Sequence, residues 1–292
     1  MVADLLKTFD SISLAGLQEK SELMERREIK YLLHINKLSD VLALMKEEYE
    51  ILDINNIRMF HYENVYFDTP EYYFYHQHLS QKDSRTKIRT RKYVDSHLDF
   101  VEYKQKIKNV IKKERITIGE EEFGNMSPET ISFLEGCFKN YYDSKEQFTL
   151  VPVLRNGYQR ITLCHKTKKE RVTIDMNVSY YDTDSKQGDQ PKHALSHLAI
   201  IECKHDEKKP FFKELMQKHN TPEIHLCSKY CLWAYYLGKT KQHKTFLPTI
   251  IYIDTLYKNS SLPIDFSKSY QERITANKRE RNVYQTAGMV VS

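Results

Sequence analysis

Glycine and proline are scarce, eight of each in 292 residues, which excludes collagen-like and low-complexity chains. Cysteine is scarcer still, with Cys137, Cys164, Cys203, Cys227 and Cys231 alone. Their odd number and the lack of a C-x-x-C pair argue against a disulfide framework and against a thiolate zinc site. Cys227 and Cys231 stand four apart in an apolar stretch, a helical spacing that predicts buried free thiols. No run approaches the roughly 18 apolar residues of a membrane-spanning helix. The opening MVADLLKTFDSISL lacks the basic-then-apolar layout of a secretion signal, so a cytoplasmic location without an integral membrane segment is expected. Nor is there a large excess of one charge. Against 45 basic residues stand 40 acidic ones, a formal +5, too little to name a partner. What is present is an apolar fraction of 40% with 21 tyrosines, at a length that can bury a sizeable core.

Residues 1–24 read as a short helical segment that Leu5, Leu6, Phe9, Leu14 and Leu17 can dock on a neighbour. From 25 to about 205 a period of two dominates. It predicts strands near 26–33, 61–68, 85–94, 98–107, 113–118, 158–164, 171–178 and 198–205. Helical patterns fall at 37–50, 127–140, 210–219 and 223–238, and Asp182 to Lys192 reads as a loop. Residues 265–292 are polar and charged without an apolar period, which fits a frayed tail or an exposed helix. The expected division is an N-terminal helical segment 1–24, a main domain 25–240 and an extension 241–292. About eight strands with few long helices predict an α+β fold, a closed antiparallel barrel with helices packed outside.

Neighbouring side chains on a strand point to opposite faces, and here one face of each strand is ionic. Arg85, Lys87, Arg89 and Arg91 share a face, as do Glu102, Lys104 and Lys106. Lys113 joins Arg115, Tyr158 joins Arg160 and Thr162, and Arg171 joins Thr173, Asp175 and Asn177. Glu202 lies with Lys204, and Arg26 with Glu28 and Lys30. An ordinary half-buried sheet turns such a face to water. A solvated face, however, mixes signs, because like charges directly opposite destabilise a sheet; these faces are dominated by Lys and Arg. Arginine forks also suit the bidentate capture of phosphate oxygens, and the amphipathic helices are available to cover an apolar exterior. All three features favour a barrel with an ionic lumen, which would repel itself without a polyanion and a metal.

Glu202 is the outstanding carboxylate for Mg²⁺ or Mn²⁺, hard cations that take oxygen ligands, with a salt bridge to Lys204 or an arginine as the plain alternative. Glu28, Glu102 and Asp175 either add ligands or pair with arginines. Ser228 and Lys229 fall at the start of the final helical pattern, where backbone N–H groups favour an anion; a capping serine beside a solvent lysine is the plain reading of the same pair.

In order, the segments SISLAGL, RREIKY, VYFDTPEYYFY, KIRTRKY, FVEYKQK, PVLRNGYQR, RVTID, IIECK and SKY resemble the VTC domain. That is the catalytic domain of the vacuolar transporter chaperone polyphosphate polymerases, within the CYTH or triphosphate tunnel metalloenzyme superfamily. The resemblance runs from about residue 9 to 238. It implies that Lys30, Arg89, Arg91, Lys104, Lys113, Arg160 and Arg171 line a tunnel and grip phosphate oxygens, with Tyr158 beside them. It further implies a metal at Glu202 and phosphate contacts from Ser228 and Lys229; from their places on the ionic faces, Glu28 is expected as a further metal ligand and Lys204 as a further phosphate contact. The implied reaction moves the γ-phosphoryl group of ATP onto a growing polyphosphate chain with Mn²⁺ or Mg²⁺, and no nucleic acid is an expected partner. A triphosphatase of the same fold, or a non-catalytic polyphosphate-binding protein, is the alternative. Triphosphatases of the superfamily carry Glu-x-Glu-x-Lys on the first strand, where this chain has Arg26, Glu28 and Lys30, a departure that favours the polymerase. Lys106 stands where histidine is expected in the eukaryotic polymerases. No coupling of synthesis to membrane translocation is implied for these residues, and a membrane partner protein is left unassigned.

Overall fold

Every strand expected from the alternation forms. The computed structural model describes residues 2–22, 27–108, 110–140, 142, 148–185, 189–239 and 244–258. The chain opens with α1 (Val2–Leu6), β1 (Asp10–Ile12), α2 (Leu14–Glu22), β2 (Arg27–His34), α3 (Leu38–Met45) and β3 (Tyr49–Leu52). Then come β4 (Phe60–Asp68), α4 (Tyr73–Leu79), β5 (Ser84–Tyr93), β6 (Leu98–Ile107), β7 (Val110–Ile118) and α5 (Pro128–Lys139). The remainder is β8 (Val151–His165), β9 (Glu170–Tyr181), β10 (His193–Leu195), β11 (Leu198–His205), α6 (Phe211–Lys218), α7 (Lys229–Tyr236) and α8 (Leu247–Lys258). Arg26 and the expectation for 265–292 lie outside the described residues.

Two helix boundaries and one strand face differ from the expectations, and the strand expected near 158–164 already begins at Val151. The helix foreseen over 37–50 stops at Met45, and Tyr49–Leu52 becomes a strand pairing with β8 and β1. Its aromatic and β-branched residues suit a buried pleat, and Tyr49 and Ile51 are fully buried there. The helix foreseen over 223–238 begins only at Lys229. Pro222 disfavours helical backbone before it, and Ile224 N–H instead donates to the Lys30 carbonyl at 2.8 Å. Finally, Asn177 leaves the ionic face. It adopts φ 52°, a conformation asparagine tolerates, and the register of β8 with β9 slips beside it. Asn177 is exposed, while Val178 and Tyr180 after it turn into the core.

The strands form one large, mainly antiparallel sheet in the order β2-β11-β9-β8-β4-β5-β6-β7. Among the described residues no ladder joins β7 to β2, so the expected closure by backbone pairing is not met. β2 has Glu223 and Ile224 against its outer edge. β7 is the open edge; its inward register residues Lys113 and Arg115 are exposed.

The apolar faces point outward and are covered. Tyr31, Leu33, Ile161, Leu163, Val172, Ile174, Ile201 and Cys203 pack beneath α1, α3 and α6. Val65, Ile88, Val101 and Tyr103 pack against Leu134 and Cys137 of α5 and Phe74 of α4. A third cluster, Leu32, Tyr62, Tyr66, Val178 and Ile200, lies on the opposite, inner face, where α7 and α8 pack against it. Every residue of α7 from Tyr230 to Tyr236 is buried, as expected of a helix apolar on all sides. Each such side chain contributes roughly 1.5–3 kcal/mol by leaving water. All five cysteines are free and buried.

Candidate active site: a cationic hollow

The inner face of the sheet carries the charges beside the apolar part that α7 and α8 cover. Register places Lys87, Lys104 and Lys113 directly opposite one another across β5, β6 and β7. The adjacent row reads Arg89, Glu102 and Arg115. Three ammoniums in one row are unfavourable in a sheet unless an anion lies on them.

On β2 and β11, Glu28 stands opposite Lys204 and Lys30 opposite Glu202. Lys30 Nζ lies 2.9 Å from Glu28 Oε1 and 3.7 Å from Glu202 Oε2, and Lys204 pairs with Glu202. Arg171 of β9 is opposite Lys204. On β8 and β9, Arg160 forks onto Asp175, with Nε to Oδ1 at 2.6 Å and Nη2 to Oδ2 at 2.8 Å. Lys229 donates to the same Asp175. The Arg160 guanidinium also lies 5.3 Å from the centre of the Tyr158 ring and 5.2 Å from that of Tyr62. Arg91 donates to Tyr158 OH at 3.1 Å and to Asn64 Oδ1 at 2.9 Å. Arg89 donates to Glu102 at 2.8 Å through Nε and to Tyr66 OH at 3.0 Å.

These walls meet at the start of α7. Lys87 donates to Ser228 Oγ at 2.9 Å, and Lys30 donates to the Cys227 carbonyl at 3.2 Å. With Lys229 on Asp175, three consecutive residues are held from β2, β5 and β9. Ser228 occupies the N-cap position without a side-chain capping bond; its hydroxyl serves the hollow instead. The sheet therefore curls far enough for strands remote in its order to share one space.

Burial and charge set the ionisation. Against the burial that would raise it, Lys30 and Lys204 hold the Glu28 carboxyl at about 2. Arg89 and Arg91 overcome burial at Glu102 in the same way, again to about 2. Asp175, deeply buried, is still held well below the carboxylate range by Arg160 and Lys229. The lysines move the other way. Burial pushes Lys87 down to about 8, with Lys104 adding repulsion. Lys104 and Lys204 are also lowered, chiefly by burial, and Lys204 feels Arg171, Arg160 and Lys113. Even the Tyr66 phenol falls to about 8, because Arg89, Lys87 and Arg91 outweigh its burial. Depressed ammonium and phenol values together mark a site short of negative charge.

Lys30, Arg89, Arg91, Lys104, Tyr158, Arg160, Arg171, Lys204, Glu202, Glu28, Ser228 and Lys229 thus share the inner face, and Lys113 stands at its open edge. Alternation had placed Lys87 on this face without singling it out. Glu102 and Asp175 serve the arginines. Tyr62, Asn64 and Tyr66 were missed; alternation in HYENVYF puts them on one face, but three uncharged polar residues carry no sign of which side that face takes.

Among the described residues no group of three or more His, Cys, Asp or Glu converges, so an all-protein metal cage is not built. Glu28 and Glu202 do share one face, diagonal across two strands. That donor set fits a hard divalent ion completing its shell with phosphate oxygens.

A family model described as VTC domain matches residues 25–235. No curated protein matches. Solved structures with a related outline include a Pyrococcus horikoshii protein, 15% identical over 73% of this chain and 100% of that one, with TM-score 0.39. A candidate adenylate cyclase of Vibrio parahaemolyticus is 12% identical over 70% and 95%, TM-score 0.38. A candidate adenylyl cyclase of Hippeastrum, described as having a dominant triphosphatase activity, is 12% identical over 72% and 96%, TM-score 0.36. These likenesses are distant and reach no further than outline.

Proposed function

We propose a function from one premise: the chain belongs to the VTC domain family. It is a polyphosphate polymerase that transfers the γ-phosphoryl group of ATP to the end of a polyphosphate chain lying in the hollow. The carrying observation is the meeting of Lys30, Lys87 and the Lys229–Asp175 pair at residues 227–229, which turns cations from across the sheet onto one volume. A linear polyanion supplies the missing negative charge along its whole length.

Phosphoryl transfer through a loose transition state needs positioning and charge neutralisation more than covalent chemistry. Arg89, Arg91 and Arg160 are pre-oriented by Glu102, Asn64 and Asp175, so their forks meet phosphate oxygens with little reorganisation. Lys30, Lys87 and Lys104 supply point charges, and Ser228 a hydroxyl. Glu28 and Glu202 would hold Mg²⁺ or Mn²⁺, which supplies further neutralisation of the terminal phosphates. Before that, Lys30 and Lys204 keep Glu28 ionised and both pair with Glu202. As the acceptor end and the ATP terminus are both anionic, the lysine row screens their repulsion.

The test is incubation with ATP and Mn²⁺, followed by separation of the products by size on a gel. Long-chain polyphosphate supports the polymerase. Release of phosphate without chain growth would make the chain a triphosphatase, and tight polyphosphate binding with neither product would make it a binding protein. Glu202→Gln should abolish metal-dependent turnover while the thermal midpoint stays close to that of the parent. Full activity in that variant removes Glu202 from the metal site.

A further inference from the structure

The β6–β7 hairpin projects a feature that the phosphate hollow does not use. Between Lys104 and Lys113, which face the hollow, the sequence QKIKNVIK holds three further lysines and no carboxylate. At its tip three aliphatic side chains face solvent: Ile107 at 37%, Val110 at 60% and Ile111 at 46% exposure. They are three of only eight large apolar residues so exposed among the described residues, and Ile107 pairs with Val110 and Lys106 with Ile111 across the ladder. Lys108 and Lys112 beside them are exposed, and so is Lys82 on the neighbouring loop. Lys108 N–H donates to the Asp83 carbonyl at 2.9 Å, anchoring the tip to that loop.

Lysines alone have a simple role on an open edge, where they discourage pairing with another sheet. That role calls for charge, and solvent-facing isoleucine and valine work against it. A cationic ring around an aliphatic tip matches instead an anionic lipid surface. The apolar side chains enter the acyl boundary while the lysine stems reach back to the headgroup phosphates. We infer that the β6–β7 hairpin docks the protein on an anionic membrane surface through Ile107, Val110 and Ile111 ringed by Lys108 and Lys112. The inner-face row with Lys104 and Lys113 lies on the same two strands, so docking would set the open edge of the hollow beside the lipid headgroups. The inference is independent of which reaction the hollow performs.

Flotation of the full chain with vesicles tests it. Binding is expected to vesicles of phosphatidylcholine mixed with phosphatidylglycerol, not to phosphatidylcholine alone, and to weaken as salt rises. Lys108→Gln combined with Lys112→Gln should weaken binding by roughly tenfold to a hundredfold. Ile107→Ser, Val110→Ser and Ile111→Ser together should reduce it by about tenfold or more. Because these side chains are exposed, the triple variant should melt with the parent, and circular dichroism checks this. Equal binding to neutral vesicles, no binding, or binding unchanged in the triple variant overturns the inference. So does a dimer in sedimentation that vanishes in the triple variant without any vesicle binding, which would make the hairpin a self-association edge.

Discussion

At the scale of single residues, the hollow is a balance between carboxylates that hold cations in place and a deficit of negative charge that a ligand fills. Asp175 shows both sides. It is almost fully buried between Arg160 and Lys229, so Asp175→Asn strands two cations. Breaking such a buried pair costs about 3 kcal/mol or more. The same change deepens the charge deficit, so affinity for polyphosphate should rise while stability falls. Calorimetric binding and melting of one variant check both signs, and a loss of affinity would show that Asp175 serves the ligand directly. Lys87 gives a pH signature. Its ammonium is the anion-binding form, and its value in the empty protein is about 8 against an ordinary 10.5. A bound anion raises that value, so tripolyphosphate affinity should be full below about pH 8 and decline as pH rises above it. Titrations at pH 7 and 9 measure the drop, which Lys87→Met should reduce. Folding stability runs oppositely, rising between 8 and 10.5 as the buried ammonium loses its proton.

At the scale of elements, one carboxylate positions the helix that closes the site. Asp68 ends β4 fully buried and accepts from the N–H groups of Thr69, Phe74 and Tyr75, each at 2.8 Å. It thereby satisfies the first turn of α4. It also accepts from Tyr230 OH in α7, whose ring stacks on Tyr66 at 5.4 Å. Asp68→Ala leaves those donors buried and unpaired, with a loss of about 3 kcal/mol or more. Since α7 begins at Lys229, phosphate affinity should fall with it. Urea unfolding reads the first effect and tripolyphosphate binding the second. The DTPEYYFY segment stood out in the sequence as part of a resemblance, but its role as a brace between α4 and α7 was not legible. Asp68 and Tyr230 lie 162 positions apart, and no periodicity relates them. Asn177 is the matching case in a strand. Strict alternation assigns it to the ionic face, and a single left-handed residue reverses the parity of the rest of β9.

At the scale of the molecule, stability depends on how α8 seats against the sheet. His34 and His197 are buried near it, and the His197 ring lies 5.1 Å from that of Tyr257. Burial drives the His197 value down to about 4, with His34 repelling it, and lowers His34 as well. A histidine with a depressed native value is protonated first in the unfolded chain. Its contribution is therefore complete above about pH 6.5 and is lost as pH falls toward 4. For His197 the loss at pH 5 is about 2 kcal/mol. Urea midpoints at pH 5 and 7 should differ accordingly, and His197→Gln should narrow the gap; an unchanged gap assigns the acid sensitivity elsewhere.

Alternation along the strands determined by itself that Arg89, Arg91, Lys104, Arg160 and Glu202 lie opposite apolar residues, because a pleat allows nothing else. Composition determined that the thiols are free. Which side of the sheet faces inward was decided only by tertiary packing: α1, α3, α5 and α6 cover one face, so the other must enclose its charges. Among the described residues the same packing left the outer edge of β7 without a ladder, since closure requires matching it with β2, remote in the chain, and that edge of β2 is met by Glu223 and Ile224 instead. Local pattern fixes the parity of side chains; curvature and closure are properties of long-range contact, which a period of two does not encode.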